Sequence, residues 1–195
     1  MLNRRQLLAA ACAVPFAGWA RAEIPAPAAA LIAAARAQIG VTLYYDSGYR
    51  QIAYPMGDVP RDTGVCTDVV IRAYRDAVQR DLQVLVHEDM RVNFSKYPNV
   101  WGLAGPDRNI DHRRVPNLMT FLKRAKAQLV LNEAPQPGDL VTMIVPPHLP
   151  HIAIVSDALS DDGKRLKIIH NIGRGTREED RIEAFERIGH YRWMA

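Results

Sequence analysis

Near residue 128 the hydrophobic period changes, and this limits the chain to a helical part followed by a sheet. Before that point apolar residues recur at helical spacing. Residues 27–38 are alanine-rich, with Pro27 in the first turn and Gly40 past the end. From Thr67 to about Gln79, Val69, Val70, Ala73 and Ala77 share one side, with Arg72, Arg75 and Asp76 elsewhere. Leu82, Val84, Leu85, Val86 and Met90 form a further helical pattern, and another starts near Pro116 with Leu118, Met119, Phe121 and Leu122. After Pro137-Gly138 the pattern is β-branched: Asp139–Val145, His151–Asp157 and Leu166–His170 read as strands. Asp161-Asp162-Gly163 forms a hairpin turn between the last two. Gln128–Leu131 reads as a short strand, and Gly189–Trp193 closes the sheet. Helices first and an antiparallel meander second define an α+β fold.

Between these elements lie two long irregular stretches. Residues 41–63 carry Tyr44, Tyr45, Tyr49 and Tyr54 among Gly, Pro and Asp, too much apolar surface for a solvated linker. Residues 93–114 combine Phe94, Tyr97 and Trp101 with the charged run Asp111-His112-Arg113-Arg114. Long loops in compact domains are usually functional. No repeat, heptad or low-complexity segment is present.

The N-terminus has a different logic. Arg4-Arg5 precedes the apolar stretch Leu7–Ala20 and the small-x-small triplet Ala20-Arg21-Ala22, the layout of an export signal. Residues 1–22 are therefore read as a signal peptide, by the Sec or the twin-arginine route, and 23–195 as a single periplasmic or secreted domain. Cys12, after three alanines, is not read as a lipoprotein cysteine because the apolar segment before it is very short. Removing the signal leaves 22 basic against 21 acidic residues, so the pI of 9.2 reflects targeting and gives no case for nucleic-acid binding. No stretch approaches the roughly 20 apolar residues that span a bilayer. The mature chain keeps one cysteine, Cys66, in a compartment where thiols oxidise; an internal disulfide is impossible, and a reactive thiol is the expectation.

Cys66 lies in Gly64-Val65-Cys66-Thr67-Asp68-Val69-Val70, a glycine turn running into a helix. Unpaired N–H groups and the helix dipole at such a junction favour an anion, so a lowered thiol pKa is expected. A cysteine nucleophile needs a base, and the base benefits from a group that fixes its ring. His151 opens one predicted strand and His170 ends the next across a hairpin, where facing side chains lie about 5 Å apart. His151 is thus the candidate base, His170 its orienting partner, and the N–H groups at the helix start the candidate oxyanion site. Asp111, His112, Arg113 and Arg114 read either as a clamp on substrate carboxylates or as an ion-pair network at a helix start. The tyrosines, Tyr45 among them, either line a groove or pack over the sheet. His190 reads as structural. His148, His151, His170 and Asp157 are zinc-type ligands, though His148 and His151 are not spaced by a helical turn. No metal or cofactor is expected.

Pro137-Gly138-Asp139-Leu140-Val141, His151-Ile152-Ala153-Ile154-Val155 and Ile168-Ile169-His170 resemble the core of the NlpC/p60 papain-like cell-wall peptidases. A closer resemblance, over nearly the whole mature chain, is to a bacterial domain of unknown function, DUF1287. It rests on Gly64–Val70, Ile110-Asp111-His112-Arg113-Arg114-Val115-Pro116-Asn117 and His170-Asn171-Ile172-Gly173. The resemblance implies a papain-like fold, Cys66 as nucleophile, His151 as base and His170 as orienting residue. It also implies hydrolysis of an amide in peptidoglycan or a related envelope peptide; a monomer is expected, with Tyr45, Asp68, Asp111, His112, Arg113, Arg114 and Asn171 as the candidate substrate-binding residues. One departure stands out: the acid, Asp68, lies two residues after the sulfur, where NlpC/p60 enzymes carry it one residue before. The alternatives are a non-catalytic envelope-binding module on the same fold and a zinc-dependent amidase.

Overall fold

A computed structural model describes residues 23–194; the signal-peptide reading and Cys12 lie outside the described residues. Four helices precede the main sheet: α1 (Ala26–Arg36), α2 (Cys66–Val78), α3 (Leu82–Asn93) and α4 (Val115–Arg124). Each starts and stops for a local reason. Prolines occupy the first turns of α1 and α4, where no N–H is needed. Asp81 caps α3 by accepting from the Gln83 N–H, and α2 ends where Gln79 turns left-handed at φ 55°.

The sheet strands are β3 (Leu140–Val145), β4 (Leu149–Leu159), β5 (Leu166–Asn171), β6 (Thr176–Glu179) and β7 (Glu186–Tyr191), all antiparallel, in the order β6-β5-β4-β3-β7. A small parallel pair, β1 (Tyr44–Tyr45) with β2 (Thr63–Gly64), closes the loop between α1 and α2. The α+β arrangement is therefore present, with three differences from the sequence reading. β4 begins two residues earlier, at Leu149, so the proline-rich interruption is only a tight turn. The Gln128 segment contributes a single bridge to Tyr191 rather than a strand. β6 was not anticipated, because Thr176-Arg177-Glu178-Glu179 is a polar edge strand with no apolar alternation.

Alternation along β4 sorts the core into two sides. Ile152 and Ile154 join Leu140, Ile169 and Tyr191 beneath Val69, Val70, Leu118 and Leu122 of the helical layer. Ala153 and Val155 point the other way, into a smaller cluster with Val141, Met143 and Ile168 that Ile182 and Phe185 cover. No helix among the described residues is long and apolar enough to cross a membrane.

Packing between the layers supplies the stability. Ile154 is fully buried under the helices, so Ile154→Ala should cost about 2–5 kcal/mol. Val92→Ala, at a position 71% exposed, should cost less than about 0.5 kcal/mol. Urea denaturation of the two variants measures both, and comparable losses would contradict this layering.

Candidate active site

The start of α2 is fixed before any chemistry is considered. Val65 is extended (φ −113°, ψ −176°), and its N–H donates to Asp68 Oδ2 at 2.7 Å, closing the first turn. Asp68 also receives both arms of Arg113, Nε and Nη2, at 2.9 Å each. Arg113 goes on to donate to the carbonyls of Asp46 and Gly48, and Thr67 Oγ1 donates to the Arg113 carbonyl. One buried ion pair therefore ties together the helix start, the tyrosine-rich loop and the 3-10 turn Asp111–Arg113.

Most of the charged residues expected at the substrate have internal partners. Asp68 and Arg113 are engaged with each other. Asp111 is buried, accepts from the Asp107 N–H and from Arg114 Nη1 at 2.9 Å, and its carboxyl is raised by burial. His112 is buried and held neutral, its pKa pushed down to about 3 by burial and the Arg113 charge. Asn171 donates to the Gly64 carbonyl at 3.0 Å and so pins β5 to the residue two before Cys66. These five are among the seven residues expected at the substrate. All of them are buried, and for all but His112 internal partners engage the polar groups. Arg113, Arg114 and Tyr45 border the cleft beside Cys66.

Cys66 is the first residue of α2, and the backbone N–H groups of Ile152 on β4, of Thr67 and of Cys66 itself favour its thiolate. The sulfur thus lies against β4 one residue from His151. Burial nevertheless dominates: it pushes the thiol up to about 11, reinforced by the Asp68 charge and against the N–H donors. The lowered pKa expected from the helix start is overturned for this reason. Desolvation within a 3%-exposed site outweighs three N–H groups.

The two imidazoles meet. His151 Nε2 lies 2.8 Å from His170 Nδ1, with the rings edge-on at 75°. The pairing of Ile154 with Ile169 places His170 opposite Ala153, so His151 is its diagonal neighbour on the same face, not its direct opposite. His170 Nε2 lies 3.1 Å from Glu179 Oε2 on β6, which sequence reasoning missed because it did not find that strand. The contact fixes the tautomers. A carboxylate only accepts, so His170 donates from Nε2 and accepts at Nδ1. His151 must then donate from Nε2, which leaves a lone pair on Nδ1. Burial and His170 hold His151 neutral, at about 3, so it is an unprotonated base. Among the described residues no hydrogen bond joins Sγ to this ring; catalytic contacts are often loose before substrate binds.

Cys66 and Pro150, which precedes His151, border a cleft of about 590 Å³ with Tyr45, Trp101, Arg113 and Arg114. The Arg114 guanidinium stacks 4.0 Å over the Trp101 ring. Tyr45 is pushed up to about 12 chiefly by burial, so its phenol remains a hydrogen-bond donor. Among the described residues no three His, Cys, Asp or Glu side chains converge as a metal-binding group, so the candidate zinc ligands do not assemble. His190 is structural, as expected: its ring bonds Asp139 at 2.8 Å.

A family model described as "Domain of unknown function (DUF1287)" matches residues 32–193, and the chain belongs to that family. The uncharacterized protein YijF of Escherichia coli (strain K12) is 51% identical over 163 residues, 82% of this chain and 78% of that protein. No solved structure matches.

Two pH effects follow. Iodoacetamide labelling of the Cys66 peptide should accelerate about tenfold per pH unit from neutrality and level off only near pH 11. A plateau below pH 7 would reveal a preformed thiolate–imidazolium pair instead. Stability should fall on both flanks. Unfolded His151 takes a proton below 6.5 that the folded ring refuses down to about 3. Unfolded Cys66 loses its proton above 9.0 while the folded thiol keeps it to about 11.

Proposed function

We propose that the protein is an exported cysteine hydrolase, a peptidase or amidase of papain-like type, that cleaves an amide in peptidoglycan or a related envelope peptide. The observation that carries this reading is the polar chain His151–His170–Glu179 beside a cysteine at a helix start that borders a cleft. The reading rests also on the resemblance to NlpC/p60 enzymes in the same three segments, and on the export signal read at residues 1–22.

The resting state pairs a neutral thiol with a neutral imidazole. In the proposed reaction, proton transfer from Cys66 to His151 Nδ1 accompanies attack of sulfur on the scissile carbonyl carbon, since the separated charges are disfavoured before substrate arrives. The developing oxyanion takes N–H donors at the start of α2. The C–N bond breaks as His151 returns the proton to the departing amine, leaving a thioester. Water, deprotonated by His151, then attacks the thioester; the C–S bond breaks, His151 returns the proton to the Cys66 sulfur, and the carboxylic acid leaves. His170 holds the ring through Nε2 throughout, and Glu179 holds His170. Arg114, with one arm on Asp111 and its plane on Trp101, faces the cleft where a substrate carboxylate would lie.

Sacculi digested in parallel with wild type, Cys66→Ala and Glu179→Gln, and analysed by mass spectrometry, provide the test. Wild type should release new muropeptides and Cys66→Ala none. Glu179→Gln should lower kcat by roughly 10-fold or more with KM little changed, since it disturbs the tautomer and not the cleft. Muropeptides identical in wild-type and Cys66→Ala digests would reject peptidoglycan as substrate. Wall binding without cleavage by both proteins would leave the envelope-binding module as the function.

A further inference from the structure

Behind His170 lies a second cavity, of about 290 Å³, whose lining shares no residue with the cleft at Cys66. Its walls are His170 and Glu179, the turn carrying Arg174, and Arg177 and Arg181 on and after β6. The charge there is unbalanced. Arg36, Arg72, Arg113, Arg124, Arg165 and Arg192 each have a carboxylate within ion-pair distance. Arg174 and Arg177 have none among the described residues; Arg177 Nε donates only to the Arg174 carbonyl, at 3.3 Å. The single carboxylate in the cavity, Glu179, is shared between His170 and Arg181, the latter at 3.4 Å. Three guanidinium groups thus face one anion, an excess of about two positive charges in a concave site.

The site is also built rather than incidental. Gly173 and Gly175 have φ of 118° and 78°, which L side chains rarely adopt, so the turn between β5 and β6 has a particular shape. A Cβ on Gly175 would come within 2.5 Å of the Thr42 carbonyl, so the turn presses against the loop before β1. The Thr176 N–H donates to that same carbonyl at 2.9 Å, and the Gly173 N–H to Asn171 Oδ1 at 3.1 Å. Arg174 is therefore presented from an anchored turn, and Arg177 from a strand paired across to His170.

We propose that this cavity binds a phosphate oxyanion, as free phosphate, a phosphomonoester or a phospholipid headgroup, through Arg174, Arg177 and Arg181. Guanidinium forks match phosphate oxygens two at a time, and a tetrahedral phosphate offers oxygens to more than one fork where a carboxylate offers a single edge. His170 and Glu179 wall this cavity as well as serving the hydrolase reading, but the proposal does not rest on that reading, because none of its three arginines is assigned a role in it.

Isothermal titration of the intact protein at low ionic strength with inorganic phosphate, glycerol phosphate and acetate provides the test, with flotation on phosphatidylglycerol against phosphatidylcholine vesicles. Saturable one-site binding of either soluble phosphate, weakened roughly tenfold or more in Arg174→Gln and in Arg177→Gln, is expected. Both positions are exposed, so both variants should fold. Arg108→Gln, which removes a guanidinium lying over Tyr54, should bind as wild type does. Capture by phosphatidylglycerol vesicles alone, lost in the same two variants, would assign the phosphate to a headgroup. Binding equally tight to acetate, or unchanged in Arg174→Gln and Arg177→Gln, or no binding to any probe, would overturn the proposal. Cys66→Ala should bind phosphate unchanged, so failure here and failure of the hydrolase reading remain separate results.

Discussion

The bidentate pair between Asp68 and Arg113 is the contact on which the rest of the site depends. Both side chains are only 4% exposed, so the pair adds little net stability over an apolar substitute, while losing one partner would strand a buried charge at a cost of about 3–5 kcal/mol. Its value is geometric. Asp68 closes the first turn of α2, Arg113 reaches the carbonyls of Asp46 and Gly48, and Thr67 holds the Arg113 carbonyl. Three segments far apart in sequence are thereby brought to one corner of the sheet, and Cys66 is at that corner.

A second constraint is that the corner is dry. Desolvation raises the thiol and lowers both imidazoles, so every member of the chain from Cys66 to His170 is held neutral, against the N–H donors and Glu179 that favour charge. Hydrogen bonds then decide what burial leaves open, namely which nitrogen carries each proton. Glu179 sets His170 and His170 sets His151, so a carboxylate two residues removed from the sulfur determines where the basic lone pair lies. A neutral pair of this kind separates charge only when something stabilises the product charges.

How much of this was legible in the sequence depended on the range of each interaction. The helices and four of the five sheet strands were readable because each buries a local, periodic apolar pattern. Cys66, His151 and His170 were readable because each falls at the end of such a pattern. β6 was not, since an edge strand of Thr176-Arg177-Glu178-Glu179 has no buried face to impose alternation, and Glu179 was lost with it. The charged motif at 111–114 was legible as two readings only. Which one holds depends on Asp68, more than 40 residues away, and distance along the chain hides that pairing. The thiol pKa was misjudged for a related reason: the helix start is a local feature, but burial comes from the whole fold.

The position of the acid relative to the sulfur now has a physical account. An acid immediately before a cysteine at a helix start would stand at the N-cap, its carboxylate accepting from the N–H groups of the first turn. Two residues after it, Asp68 is at the third position of α2, where a carboxylate reaches back to the N–H of the capping residue. The N-cap is therefore released to be Val65, an apolar residue that borders the cleft and has no side-chain oxygen to cap with. The capping oxygen moves from outside the helix to inside its first turn, and from there it meets Arg113. The wall of the cleft at this point is therefore apolar, and the charge lies in the fold that supports it.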